Sequence, residues 1–188
     1  MLGIQVDDEI FLRLHEERRA EELFRLVDEN RAHLRGWLHW VDATTSAEDI
    51  RNYVRGMLLK MAEEKEYGFA ILFQGELVGA IGLHLVQEAR EAEVGYWLSE
   101  KAQGRGIVTR ATRALVRFSF EDLGVNRVVI HCASDNARSQ AVPERLGFSL
   151  EGSLREREVV PGRDPRDQMA YSLLRSEWED PGRRDLPP

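Results

Sequence analysis

The stretch Val94–Thr109 reads VGYWLSEKAQGRGIVT, and its interpretation decides the fold. An apolar run ends at Leu98, a polar loop follows, and Gln103-Gly104-Arg105-Gly106 leads directly into a helical pattern. In that pattern Ile107, Ala111, Ala114, Leu115 and Phe118 fall on one side, with Gly124 just past the end near Asp122. Glycines in such a loop let the backbone approach a ligand without a Cβ in the way. The first turn of the helix leaves N–H groups without intrahelical partners, and the aligned peptide dipoles add partial positive charge. Together these features suit a phosphate or pyrophosphate, with Arg105 as an added charged donor. Two familiar nucleotide loops do not fit. Thr109 stands where a dinucleotide fingerprint needs its third glycine, and no Gly-Lys-Ser/Thr triplet occurs. Taken alone, the segment is also readable as a loop that merely turns the chain.

Outward from this stretch the elements follow from periodicity. Ile10, Leu12 and Leu14 alternate with Phe11 and Arg13, which predicts a short strand, and Ala20, Leu23, Phe24 and Val27 recur at helical spacing. Thr45-Ser46-Ala47-Glu48 has a capping-box pattern and opens a second helix with the stripe Ile50, Tyr53, Val54, Met57, Leu58 and Met61. The period then changes. Tyr67–Phe73, the turn Gln74-Gly75 and Glu76–Leu85 predict a hairpin, and Ala92–Leu98 a further strand. Beyond the central helix, Arg127–Ala133 reads as a buried strand and Asn136–Leu146 as a short helix closed by Gly147. Two strands are expected near Phe148–Val160 and Asp167–Leu174. The order β-α-α-β-β-β-α-β-α-β-β predicts an α/β fold of the α+β type around one mixed sheet.

Length and composition agree with this. A chain of 188 residues, 43% apolar and 31% charged, suits one domain (1–178) followed by a loose tail (179–188). No run of about 18 apolar residues occurs; the most apolar stretch, Phe69–Val86, is interrupted by Gln74, Glu76 and His84. An acidic pair, Asp7-Asp8, stands where a secretion signal carries positive charge. A cytoplasmic protein with no membrane partner is expected. The single cysteine, Cys132, excludes an internal disulfide and a multi-thiolate metal site, and it reads as a core residue beside His131. His33 and His39 share no ligand spacing, so no metal is expected. The net charge of −7 argues against a direct nucleic-acid partner.

A second constellation narrows the function. Asp135-Asn136-Ala137-Arg138-Ser139 follows the buried strand, and Arg145-Leu146-Gly147-Phe148 closes the next helix. With the glycine loop, these segments resemble the GNAT superfamily of acyl-CoA N-acyltransferases, in which a Gln/Arg-x-x-Gly-x-Gly/Ala loop binds the coenzyme A pyrophosphate. Gln103–Val108 fits that pattern except at its last position, where Val108 replaces Gly/Ala. Asn30–Val41, Glu93–Leu98, Asn136-x-x-Ser139, Glu151-Gly152 with Leu154-Arg155, and Asp167–Trp178 are similar to the RimJ/RimL branch, which acetylates protein N-termini. The resemblance covers about residues 8–178.

The resemblance implies a mainly antiparallel sheet with a splay between two parallel strands, one ending near Leu98 and the other being Arg127–Ala133. Acetyl-CoA, a co-substrate, is expected in that splay. Backbone groups of Trp97, Leu98 and Ser99 would meet the pantetheine and thioester, and Gln103, Gly104, Arg105, Gly106, Ile107, Val108 and Thr109 the pyrophosphate. Asn136 and Ser139 would flank the pantetheine arm. Lys101, Arg105 and Arg110 would form a basic group for the anionic cofactor within an acidic body that favours cationic acceptors.

Glu93 is the candidate base for the attacking amine, or else a solvated or salt-bridged strand residue. Ser139 is the candidate for orienting or protonating the departing thiolate, or else a hydroxyl that serves only its own helix turn. Many relatives use a tyrosine where this chain has Pro143, which cannot donate to the carbonyl of Ser139 and should disturb the helix there. Trp37 and Trp40 either line the acceptor pocket or plug the core. The expected acceptor is the N-terminal α-amine of a protein such as a ribosomal protein. A small amine, amino acid or antibiotic is the alternative, as is a non-catalytic acyl-CoA-binding module. A homodimer rests on family analogy.

Overall fold

The computed structural model describes residues 3–179; the stretch read as a tail lies outside them from residue 180 on. The first half comprises β1 (Gly3–Gln5), β2 (Ile10–Leu14), α1 (Ala20–Glu29), α2 (Arg31–Leu34), α3 (Ala47–Ala62), β3 (Glu66–Phe73) and β4 (Glu76–Val86). The second comprises β5 (Glu91–Leu98), α4 (Ile107–Glu121), β6 (Arg127–Ala133), α5 (Ala137–Arg145), β7 (Ser149–Glu158), β8 (Arg166–Leu174) and α6 (Arg175–Trp178). The strands join one sheet in the order β1-β2-β3-β4-β5-β6-β8-β7. All neighbours are antiparallel except β5 and β6, which are parallel and therefore need a crossover; α4 supplies it. This is the single mixed sheet that the element order predicts, and it is mainly antiparallel, as the family resemblance implies.

Apolar side chains leave the sheet on both faces. Ile10, Leu12, Phe69, Ile81, Val94, Val128 and Ile130 join Ile107, Ala111 and Leu115 of α4 and Val142 of α5 in the larger core. A smaller core on the other face gathers Leu23 and Val27 of α1, Leu34 of α2, and Ile50 and Val54 of α3. The predicted stripe of α3 is narrower than expected, since Tyr53 is half exposed and Ile50, Val54 and Met57 carry the burial. Its capping box also starts one residue later than predicted. Ser46 is the N-cap and Asp49 closes the box (Asp49 N to Ser46 Oγ 3.3 Å, Ser46 N to Asp49 Oδ2 2.9 Å), while Thr45 adds its own N–H to Asp49 at 2.9 Å. Strand β1 and helices α2 and α6 are too short to carry a periodic signal, and periodicity predicts none of them.

One local device opens the sheet. β5 and β6 pair only at Glu91–Arg127, Ala92–Val128 and Glu93–Val129, whereas β5 pairs with β4 as far as Leu98 and β6 with β8 as far as Ala133. Each parallel strand thus follows its outer neighbour and leaves the other. On the β4 side, Val78 is an extra residue between the pairs Ile71–Gly79 and Leu72–Leu77, and its carbonyl accepts the Ser99 N–H at 2.8 Å. Gly79 faces Leu98 across this pair, and a Cβ there would lie 2.2 Å from the Trp97 carbonyl oxygen and 3.0 Å from Leu98 Cα. Only glycine lets β4 draw the end of β5 so close.

Gly79→Ala should therefore lower stability by about 1–3 kcal/mol, read as a lower urea midpoint. Gly95→Ala, whose added Cβ meets nothing within 4 Å, should leave the midpoint nearly unchanged.

Candidate active site

The glycine loop keeps the geometry that a pyrophosphate needs. Gly104 and Gly106 adopt left-handed conformations (φ 76° and 70°), and a Cβ on either would project into open space. Gly106 is the N-cap of α4, and no side chain caps the helix, so its first-turn N–H groups are left to an external acceptor. Ile107 and Thr109 bury their side chains and contribute only backbone at the loop, and Val108 is half buried. The site therefore fits an anionic cofactor.

Gln103 sits between two partners: its Nε2 lies 2.7 Å from His33 Nε2, and its Oε1 accepts from Arg138. Asn30 Oδ1 accepts the Glu100 N–H at 2.9 Å, so the turn joining α1 and α2, with His33 of α2, grips the loop at two points. Arg105 stacks its guanidinium over Phe73 at 5.8 Å, and Lys101 is exposed. Arg110 departs from expectation. It pairs with Asp7 at 2.9 Å and Glu9 at 3.0 Å and ties α4 to the turn between β1 and β2, so it does not join a basic group at the loop.

At the splay the backbone decides what is available. Ser99 N–H is bonded to Val78, and the Trp97–Ala80 pair keeps the same register two residues earlier. Alternation therefore turns the N–H and C=O groups of Tyr96 and Leu98 toward the open side. Of the three predicted backbone positions, Leu98 faces the opening, while Trp97 and Ser99 are committed to β4.

The side chains separate by face. Glu93, Gly95 and Trp97 lie on the α1–α3 side. Glu93 Oε1 is 3.0 Å from His131 Nδ1, across the point where the parallel pairing ends. The hydrogen bond from His131 holds the Glu93 carboxyl below its ordinary value, against partial burial, and the same bond raises His131 above 6.5, also against burial. A carboxylate only accepts, so Nδ1 carries the hydrogen and Nε2 is left to exchange a proton. Trp97 packs against Trp40 at 6.2 Å in the smaller core. Trp37 instead stands at the end of the splay, with Arg163 and Arg166 over its ring at 5.5 and 5.1 Å. Arg166 also bonds Asp135 at 3.0 Å and the Gly36 carbonyl at 3.3 Å, so this corner carries guanidinium groups within the acidic body.

On the opposite face, Asn136 caps α5 by accepting the Ser139 N–H at 3.1 Å. Ser139 Oγ lies 3.2 Å from Cys132 Sγ and 3.3 Å from Tyr96 Oη. Tyr96 donates to the Ser139 carbonyl at 3.0 Å. Burial pushes the Cys132 thiol up to about 11 and the Tyr96 phenol higher still, so both remain protonated near neutrality.

Residues 9–149 match the family model described as an acetyltransferase (GNAT) domain. The chain belongs to the GNAT acetyltransferase family. It is 39% identical over 181 residues to YdaF of Bacillus subtilis, covering 95% of this chain and 98% of that one. It is 34% identical over 160 residues to the ribosomal-protein-serine acetyltransferase of Escherichia coli, covering 84% and 88%. Among solved structures it resembles RimL, the ribosomal L7/L12 alpha-N-protein acetyltransferase, in complex with coenzyme A. That similarity has a TM-score of 0.86 at 32% identity, over 92% of this chain and 97% of the other. This GNAT protein is an acetyl-CoA-dependent N-acetyltransferase. Among the described residues, no helix is long and apolar enough to cross a membrane.

His131 and Tyr96 are the candidate-site residues that sequence reasoning missed, although alternation places His131 on the face of Glu93 once the register Glu93–Val129 is known. The Glu93–His131 bond has a measurable signature in this GNAT enzyme. An NMR titration should give His131 a pKa above 6.5, and Glu93→Gln should bring it down. The part of the pair's stabilisation that comes from His131 is present below 6.5 and lost as pH rises through the folded pKa.

Proposed function

We propose that this enzyme acetylates the N-terminal α-amine of a protein, such as a ribosomal protein, in the cytoplasm, by direct transfer in a ternary complex. The transfer chemistry is carried by one observation: a proton-accepting pair and a hydroxyl lie on opposite faces of the same splay. The acceptor class is supported by the similarity to the E. coli ribosomal-protein-serine acetyltransferase and to RimL. Acetyl-CoA supplies the thioester, whose sulfur is a good leaving group.

The amine enters from the Glu93–His131 face. Its proton passes to His131 Nε2 as the nitrogen–carbon bond forms, and the Glu93 carboxylate stabilises the resulting imidazolium. The Leu98 N–H, turned toward the splay, is a donor for the oxygen on which negative charge develops. The carbon–sulfur bond breaks toward the α5 face, where the Ser139 hydroxyl donates a hydrogen bond that orients the departing thiolate; the sulfur leaves with the bonding electron pair and takes its proton from solvent. In the RimL structure coenzyme A is disulfide-bonded to a cysteine of that protein. The only cysteine here lies beside Ser139, which supports a thiol position at this point. Gly104, Gly106 and the first turn of α4 hold the pyrophosphate, and Trp37 borders the acceptor's path.

Release of free thiol from acetyl-CoA, measured with a panel of N-terminal peptides and small amines, tests the acceptor. Peptides should turn over with at least ten-fold higher kcat/KM. Equal or better turnover of small amines would replace this acceptor with the small-amine alternative. Glu93→Gln should lower kcat/KM by about 10²-fold or more. It should also move the acid limb of the pH profile to lower pH, because neutral His131 is the active form and loses the partner that raises its pKa. Ser139→Ala should lower kcat at saturating acetyl-CoA, while KM for acetyl-CoA changes little.

A further inference from the structure

Pro143 lies inside α5 and has no N–H to give to the carbonyl four residues back, that of Ser139. That carbonyl is not orphaned, because the Tyr96 hydroxyl reaches it from β5 at 3.0 Å. The phenol comes from a residue 43 positions away in sequence and takes the place of the missing helical donor. We infer that Tyr96 is a positioning residue for Ser139: its hydroxyl makes the hydrogen bond that Pro143 withholds and so fixes the first turn of α5 beside the cofactor sulfur.

Hydrogen counting supports a positioning role. A phenol has one hydrogen, and here it points to the Ser139 carbonyl. Toward Ser139 Oγ, 3.3 Å away, Tyr96 can therefore only accept. The hydroxyl hydrogen of Ser139 is shared between Tyr96 Oη and Cys132 Sγ at 3.2 Å, both neutral groups and both weaker acceptors than a thiolate. The phenol thus holds the serine in place and leaves the serine hydrogen free to turn to a developing negative charge. A helix without proline at 143 would satisfy the same carbonyl from its own backbone, so Tyr96 and Pro143 act as a matched pair.

This inference rests on the proposed role of Ser139, and the experiment separates the two. Steady-state kinetics and thermal midpoints are measured for Tyr96→Phe, Pro143→Ala, the double variant and Ser139→Ala. Tyr96→Phe should lose roughly ten-fold in kcat, the effect of one neutral hydrogen bond lost to a buried acceptor, with KM for acetyl-CoA within about two-fold. Pro143→Ala in the Tyr96→Phe background restores an N–H to that carbonyl and should recover most of the lost kcat.

A double variant no faster than Tyr96→Phe overturns the inference, as does Tyr96→Phe at full kcat while Ser139→Ala is impaired. Ser139→Ala at full kcat brings down the role of Ser139 itself, and this inference with it. If Tyr96→Phe alone does not fold, the double variant must fold and turn over. Its failure to do so equally overturns the inference.

Discussion

Backbone groups released from a sheet must find other partners, and that requirement shapes this molecule. β5 and β6 stop bonding to each other after Glu93 and Val129, yet both continue along their outer neighbours. The cost of unpaired N–H and C=O groups would close such a gap unless something held it open or filled it. The bulge at Val78 and the bare backbone of Gly79 pull β5 toward β4, while β8 holds β6 along its whole length. The freed groups of Tyr96 and Leu98 then face the gap between the two strands. The candidate site residues are arranged around that gap. The glycine loop lies at one end, the Glu93–His131 pair on one face, and Ser139 on the other.

Much of this was legible in the sequence, for reasons that also mark where legibility ended. The hairpin of β3 and β4, the amphipathic α4 and the buried β6 each have a period that few other structures share. Gly104 and Gly106 announce a close backbone approach, and the family resemblance supplied the splay. What the sequence did not disclose were contacts between distant residues. Glu93 meets His131 across 38 positions, Tyr96 meets Ser139 across 43, and Gln103 meets His33 across 70. Alternation tells which face a strand residue occupies, but not which residue lies opposite until the register is known. The same limit explains Arg110. Its place in the first turn of α4 suggested a cofactor contact, and only the structure brings Asp7 and Glu9 to it.

Charge is distributed against the net total. A formal −7 describes an acidic surface, yet the glycine loop presents uncapped N–H groups and Arg105, and the corner beyond the end of β6 presents Arg163 and Arg166 around Trp37. Several other arginines are neutralised in place. Arg127 bridges Glu91 at 2.7 Å and Glu151 at 2.5 Å at the closed end of the parallel pair, fastening β5, β6 and β7 where the strands still touch. The closed end of the splay is thus pinned by ion pairs.

Asn30 in the turn between α1 and α2 and His33 within α2 hold the loop, and α2 leads directly to Trp37. His33, which bonds the loop, and Trp37, whose ring lies under Arg163 and Arg166, are therefore four positions apart on one short piece of chain. Neither can shift without tilting the other. The glycine loop and the Trp37 corner thus share one short support, so a change in how the loop is seated is carried to the ring under Arg163 and Arg166.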